Sequence, residues 1–440
     1  MPGKHLTRQR EICAGPIHEW SADTLVRVLL ASTPVRADTA VRAPIPAFLE
    51  SALEIFVCVR WLAVFCFANA LGVSASDADS NTRPPKFLGV QSCSSSSCHG
   101  GAGDKLNQYT VWLAHDFHHL RPYATLETAR SERLAEVMRI GNPAQNQRCT
   151  VCHAPLQTVP TDQLRQEAKI SEGVSCENCH GPAENWLRAH TRPDWSHEDR
   201  VHAGLRDLRN LYVRANTCVA CHQTVDSDLQ QAGHPELIFE LDGQAVSQPR
   251  HWSRSADKPG PQIWLVGQAV ALREMSWQLA REKSPGEKLA SRSAGLFWLV
   301  QAAGNTEERL PRVEPNSFAP TAEQLEKVHR WSDQFAKEVA ELRWSEELTR
   351  KCLALLAGTS EAFRDKKIPA PLHARRAERL VVALDRLVTG LGNAAADPRL
   401  SRALDRLFDD AQSLPDFDAN QFADNLNEFQ TGVARILDSR

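Results

Sequence analysis

Methionine is nearly absent from this chain: of three in 440 residues, only Met138 and Met275 stand beyond the first position. Tyrosine is as scarce, and no apolar run reaches the length of about 20 residues that crosses a bilayer as a helix. Blocks of lysine or arginine are missing too, and the formal charge of -3 rests on 24% charged residues of both signs spread along the chain. That leaves no electrostatic footprint for a nucleic acid, which is excluded as a partner. Disorder is excluded by composition, since 42% hydrophobic residues in a chain of this length suffice to bury one large core or two moderate ones.

Residues 1–55 are rich in Pro, Ala and Arg and read poorly as the start of a fold. After Arg60 comes an apolar run from Trp61 to Leu71, then Val73-Ser74-Ala75, small residues of the kind signal peptidase cuts. The expectation is a leader over 1–75, with a secretory signal over about 57–75, and an exported, periplasmic protein. A signal should open a chain, so Val57 or Val59, read from a GTG codon, is the expected start. The alternative is an uncleaved signal anchor, which would be the only membrane contact. Loss of the leader removes Cys13, Cys58 and Cys66 from twelve cysteines. Eight of the nine that remain form four pairs, each followed at once by histidine.

Three pairs share one spacing: Cys149-Thr-Val-Cys152-His153, Cys176-Glu-Asn-Cys179-His180 and Cys218-Val-Ala-Cys221-His222. In this order two thiols add across the vinyl groups of one haem, and the histidine after the second Cys is held beneath the iron as an axial ligand. One such match would be a modest signal, because Cys-x-x-Cys also serves zinc sites and redox dithiols. Three matches behind a signal are strong. The fourth pair, Cys93-Ser-Ser-Ser-Ser-Cys98-His99, spaces its thiols by four residues. Three readings stand for it: a haem held by both thiols on a bulged loop, a haem held through Cys98 alone, or a Cys93-to-Cys98 disulfide. The His directly after Cys98 favours haem. Two zinc modules of four thiolates each would leave all four histidines unexplained. The cofactor expectation is therefore four covalently attached haems c, with their iron. The ninth thiol, Cys352, falls in an apolar helical stretch and reads as a small buried hydrophobe.

The sixth iron position decides whether a haem transfers electrons or binds a small molecule. With two methionines available, histidine is the expected distal ligand. Beyond His99, His153, His180 and His222, the region 76–260 holds His115, His118, His119, His190, His197, His202, His234 and His251. His119 follows Trp112 in a stretch that reads as helix up to Pro122. On such a helix His118 points about 100° away, so only one of the two is expected to face a given haem. His190 closes the run that starts just after the third site. His234 sits in Ala-Gly-His-Pro, where Gly permits close backbone approach to a flat ring. His251 precedes Trp252. The expected distal set is His119, His190, His234 and His251.

These residues resemble the cytochrome c-554 family of tetrahaem carriers. The features that match are a first site followed by Trp112 and His119, a second Cys-x-x-Cys-His, the run Glu172-Gly173-Val174-Ser175-Cys176-Glu177-Asn178-Cys179-His180-Gly181-Pro182 leading to His190, and a fourth site. The match covers roughly 87–255. The resemblance implies a mostly helical, loop-rich domain wrapped around closely stacked haems, several of them bis-His. It also implies that His119 reaches the third haem, that His190 reaches the first, and that the second haem can be five-coordinate. The chain departs from the family in its four-residue first spacing, its Ala-Gly-His-Pro segment and its long carboxy-terminal half.

From about Pro261 the pattern changes. Gln262 to Arg281, Glu287 to Ala303, Thr321 to Ala357, Pro371 to Gly392, Arg399 to Leu414 and Gln421 to Leu437 carry apolar residues at three- and four-residue spacing. A break is expected near Ser284-Pro285-Gly286 and a loop from Asn305 to Pro320. Trp264, Trp277, Trp298 and Trp331 fit an ordinary helical core, or packing against the haem region. The expected fold is mainly α, with a tetrahaem domain over 76–260 and a helical, bundle-like domain over 261–440. Electron transfer between other redox proteins, as donor and acceptor, is the favoured function. An enzyme with one open iron acting on a nitrogen oxide or hydroxylamine is the alternative, with His115, His118, His197 or His202 as acid or base. A haem-bearing subunit docked through the helical half is a third reading.

Overall fold

A computed structural model describes residues 83–253, 258–282, 286–313, 320–413 and 416–438. The leader and signal expected over 1–75 lie outside them, as do Ser284 and Pro285. The protein is mainly helical, and among the described residues there is no strand, only an isolated bridge between Phe87 and Leu164.

The first part is built of short helices: α1 (Gln108–His115), α2 (Phe117–Leu120), α3 (Pro122–Leu126), α4 (Ala129–Met138), α5 (Gln147–His153), α6 (Cys176–His180), α7 (His197–His202), α8 (Leu211–His222), α9 (Ser227–Gln231) and α10 (Leu241–Ser247). Side-chain core is sparse here. One small cluster joins Phe87, Leu156 and Val159, and another joins Leu126, Ala144 and Cys149.

The second part has longer helices: α11 (Gly260–Arg281), α12 (Glu287–Gly304), α13 (Ala322–Glu341), α14 (Glu346–Ala357), α15 (Ala370–Leu391), α16 (Pro398–Gln412) and α17 (Ala419–Asp438). α11 is buried on nearly every side and packs along α13, while α12 lies against α15. On α16 the buried residues Leu400, Ala403, Leu404, Leu407, Phe408 and Ala411 follow the helical period and meet Phe422, Leu426 and Phe429 of α17. Starts are capped as the sequence suggests: Thr321 and Gln324 exchange side-chain and backbone bonds at 3.2 and 2.8 Å.

One expected helix, Thr321 to Ala357, is in fact two. α13 ends because Gln262 of α11 donates to the Val339 and Leu342 carbonyls, both at 2.9 Å, satisfying the free end of the helix. Ser345 then caps α14 by accepting from the Leu348 amide at 3.1 Å. Cys352 is fully buried in the core.

The core does not stop at residue 260. A single apolar cluster runs from Val151 and Cys152 through Leu211, Ala215 and Val219 of α8 to Trp264, Leu265 and Phe335, and on to Phe429 and Val433. Trp264 and Trp331 belong to that cluster and Trp298 packs on its edge. α8, which carries the fourth Cys pair, therefore lies directly on α11.

Candidate functional site

The third Cys pair is the hub. Ser175 and Asn178 cap α6, the Ser175 amide donating to Asn178 Oδ1 at 2.8 Å. The capping leaves Glu177, the residue after Cys176, buried and turned inward. Its carboxylate accepts from the amides of Leu88 at 2.9 Å, Gly89 at 2.7 Å and Ala183 at 2.8 Å. Glu172 takes the Val90 amide at 3.1 Å. Burial pushes both carboxyls above their usual range, and these amide bonds push back. Gly89 has φ +87, and a Cβ there would lie 2.7 Å from the Glu167 carbonyl, so glycine is required for the chain to pass. Cys93 lies beside Cys176, and the interaction of the two thiols lowers the pKa of Cys93 and raises that of Cys176. Cys93 is buried and Cys98 exposed, both with free thiols.

The second and fourth pairs sit on capped helices. Asn146 accepts from the Arg148 amide at 3.0 Å to open α5, and Asn210 accepts from Tyr212 at 2.9 Å to open α8. Arg148 then bridges to Asp226 at 2.9 Å and Asp228 at 2.7 Å, joining the second site to the turn after the fourth.

Three of the histidines that follow Cys pairs have another imidazole beside them. His99 and His190 lie 6.1 Å apart, their rings within 18° of parallel. His180 and His251 are 6.5 Å apart, and His119 is 6.4 Å from His222. Two imidazoles bound to opposite sides of one metal at about 2 Å each would hold their centroids about 6 Å apart. The rings are also aimed. Nδ1 of His99 donates to Gln108 Oε1 at 2.8 Å, of His119 to the Asp116 carboxylate at 2.9 Å, of His153 to the Pro122 carbonyl at 2.9 Å, of His190 to the Leu187 carbonyl at 2.5 Å and of His251 to the Pro249 carbonyl at 3.2 Å. Each partner only accepts, so Nδ1 carries a proton, and the tautomer this selects in a neutral ring has its lone pair on Nε2. Burial, the largest cause in each case, holds His180 down to about 4 and His222 to about 3, and so keeps them in the neutral, ligating form. Thiol pairs beside neutral, Nε2-presenting imidazoles fit covalent haem c.

His197 is different: its Nε2 is bonded to Asp207 at 2.9 Å, which removes it from ligation. His115 and His202 are exposed. His234 is buried, with Nδ1 3.4 Å from the Pro235 carbonyl, and burial lowers it to about 3. No second imidazole stacks on His153 among the described residues. Beside the second pair lies a cavity of about 760 Å³, lined by Tyr123, Leu126 and Ala144, which pack with Cys149, and by Glu127, Glu132 and Glu136.

Two expectations need correction. His119 stands against His222 of the fourth site, not the third. His118 also faces His222, with centroids 5.3 Å apart, and the ligating atoms of all three lie within 4.8 Å of one another. The assumed continuous helix is broken: Asp116, with ψ 60, ends α1 and caps α2, so the 100° rule of one regular helix does not apply. Pro122 does not merely stop a helix but opens the next one as its first residue. Sequence reasoning also passed over Glu172, Glu177, Asp116 and Arg206. The one available signal was Glu177, a carboxylate placed inside a Cys-x-x-Cys-His motif.

No described helix is long and apolar enough to cross a membrane. No curated protein and no solved structure matches the chain. A family model described as "Cytochrome c554 and c-prime" matches residues 92–181, from just before Cys93 to just after His180. Over that segment the chain is similar to the cytochrome c554 family, which supports a c-type cytochrome with covalently bound haem iron and a role in electron transfer.

Proposed function

We propose that this is an exported tetrahaem cytochrome that passes electrons between other redox proteins. The observation that carries this reading is the set of paired, Nδ1-anchored imidazoles beside thiol pairs. Haem attaches through Cys93 and Cys98, Cys149 and Cys152, Cys176 and Cys179, and Cys218 and Cys221. His99, His153, His180 and His222 are the proximal ligands, and His190, His251 and His119 are distal to the first, third and fourth. His234 remains the distal candidate of the second. When bound, haem supplies one-electron iron chemistry. The residues of the chain fix spacing and ligation: Glu177 and Glu172 hold the first site on the third, and Arg148 holds the second on the turn after the fourth. Export is supported by the leader pattern and by the habit of the family.

A second reading is favoured by one observation, the cavity beside Cys149 together with His153, on which no second imidazole stacks among the described residues. There the second iron would keep an open face for a small nitrogen oxide or hydroxylamine.

A pyridine haemochrome count on the exported protein, with an electron paramagnetic resonance spectrum of the oxidised form, tests both. Four low-spin haems are expected of a carrier. A high-spin component moves the assignment to the enzyme, three haems remove Cys93 and Cys98 as an attachment site, and none overturns the proposal.

A further inference from the structure

Arg206 carries a charge that no carboxylate offsets among the described residues. The segment that carries it is fixed by backbone: the Arg206 amide donates to the His180 carbonyl at 2.8 Å, and the Leu205 amide to Arg200 at 3.0 Å. Gly181, at φ +85, lets the two strands of chain close, since a Cβ there would lie 2.7 Å from the Gly204 carbonyl. The side chain lies half-buried over the end of α6, where Nη1 donates to the carbonyls of Asn178 at 2.5 Å and Cys179 at 3.1 Å.

Those two bonds occupy Nη1 alone, and among the described residues no carboxylate pairs with this guanidinium. The nearest in sequence, Asp207, is turned to His197 at 2.9 Å. The thiols of Cys179 and Cys218 both feel the Arg206 charge, which places it between the third and fourth attachment sites. A half-buried cation without a counter-ion carries part of the cost of desolvation, and a guanidinium with its Nε and Nη2 edge free presents the planar fork that a carboxylate takes in two parallel bonds. The carboxylates such a place would receive are those carried by haem itself.

We propose that Arg206 is a haem-propionate site, taking one propionate of the third or fourth haem on Nε and Nη2 while Nη1 stays on the Asn178 and Cys179 carbonyls. The inference rests on the haem assignment above. It makes Arg206 a positioning residue: it orients the macrocycle, and its charge favours the reduced iron and so raises that haem's potential.

The test uses the full haem-loaded chain and the variants Arg206→Gln and Arg206→Lys. Haem content is counted first, then the propionate-bending band is read by resonance Raman and midpoint potentials by spectroelectrochemical titration. With all haems bound, Arg206→Gln is expected to shift the bending band and lower one midpoint potential, while Arg206→Lys restores the potential but not the band. An unmoved band in Arg206→Gln overturns the proposal even if a potential falls, because Arg206 would then act only as a remote charge. Should Arg206→Gln lose haem, the band is read in Arg206→Lys, and an unmoved band there overturns it equally. A wild-type chain without haem overturns the assignment beneath it as well, so the two failures are told apart by the count.

Discussion

Glu177 Oε2 accepts the amide of Gly89 at 2.7 Å, across 88 residues of chain. One buried carboxylate within the third Cys-x-x-Cys-His thus holds the segment that leads into the first Cys pair, where Cys93 lies beside Cys176.

Glu177→Ala leaves the buried amides of Leu88, Gly89 and Ala183 without an acceptor. The expected loss is about 3 kcal/mol in denaturant unfolding of the haem-loaded protein, with the first haem the first to be lost. Full stability in this variant would show that the clamp is incidental.

Ligand assignments are checked by spin state. His190→Ala is expected to turn one low-spin haem high-spin in the paramagnetic resonance spectrum, whereas His197→Ala, whose Nε2 is already spent on Asp207, leaves the spectrum unchanged. A high-spin signal from His197→Ala would reverse that assignment.

Asp116 is expected to tune an iron it does not touch. Its carboxylate accepts from His119 Nδ1 and makes the imidazole a stronger donor. Asp116→Asn is expected to raise the potential of one haem in a redox titration with haem count unchanged; a fall, or no shift, contradicts the role.

Acid should loosen the contact between α8 and the helical half. Burial pushes the Asp333 carboxyl up, but bonds from Lys337, Tyr212 and Arg273 outweigh it and hold the group down to about 2 from an ordinary 3.8. Because the folded-state value is depressed, the stabilisation is fully present above about pH 4 and is lost as pH falls through about 2. It amounts to about 2 kcal/mol. Asp333→Asn should lose it at neutral pH and unfold with a flatter acid limb, as followed by circular dichroism from pH 5 down to pH 2.

The helical half was legible because periodicity and caps are local. Leu400, Ala403, Leu404 and Leu407 announce one face of a helix whatever they pack on. The division of Thr321 to Ala357 was not legible, because the group that ends α13 is a glutamine from α11, 80 residues away from Leu342. The break at Asp116 was hidden for a related reason: nothing in Trp112 to His119 forbids a helix, and the local cap by Asp116 is joined by a distant contact, the Trp112 indole N–H donating to the Val174 carbonyl at 3.1 Å.

The sequence alone determined the chemistry of the site, since a thiol pair followed by histidine is a covalent pattern complete within seven residues or fewer, and it determined that the fold would be helical. Tertiary structure decided which imidazoles meet, bringing His190 to His99, His251 to His180, and both His118 and His119 to His222. It also decided that one core crosses residue 260. Such pairings join segments tens of residues apart, and their partners are set by buried carboxylates, caps and helix contacts that act only once the chain has closed on itself.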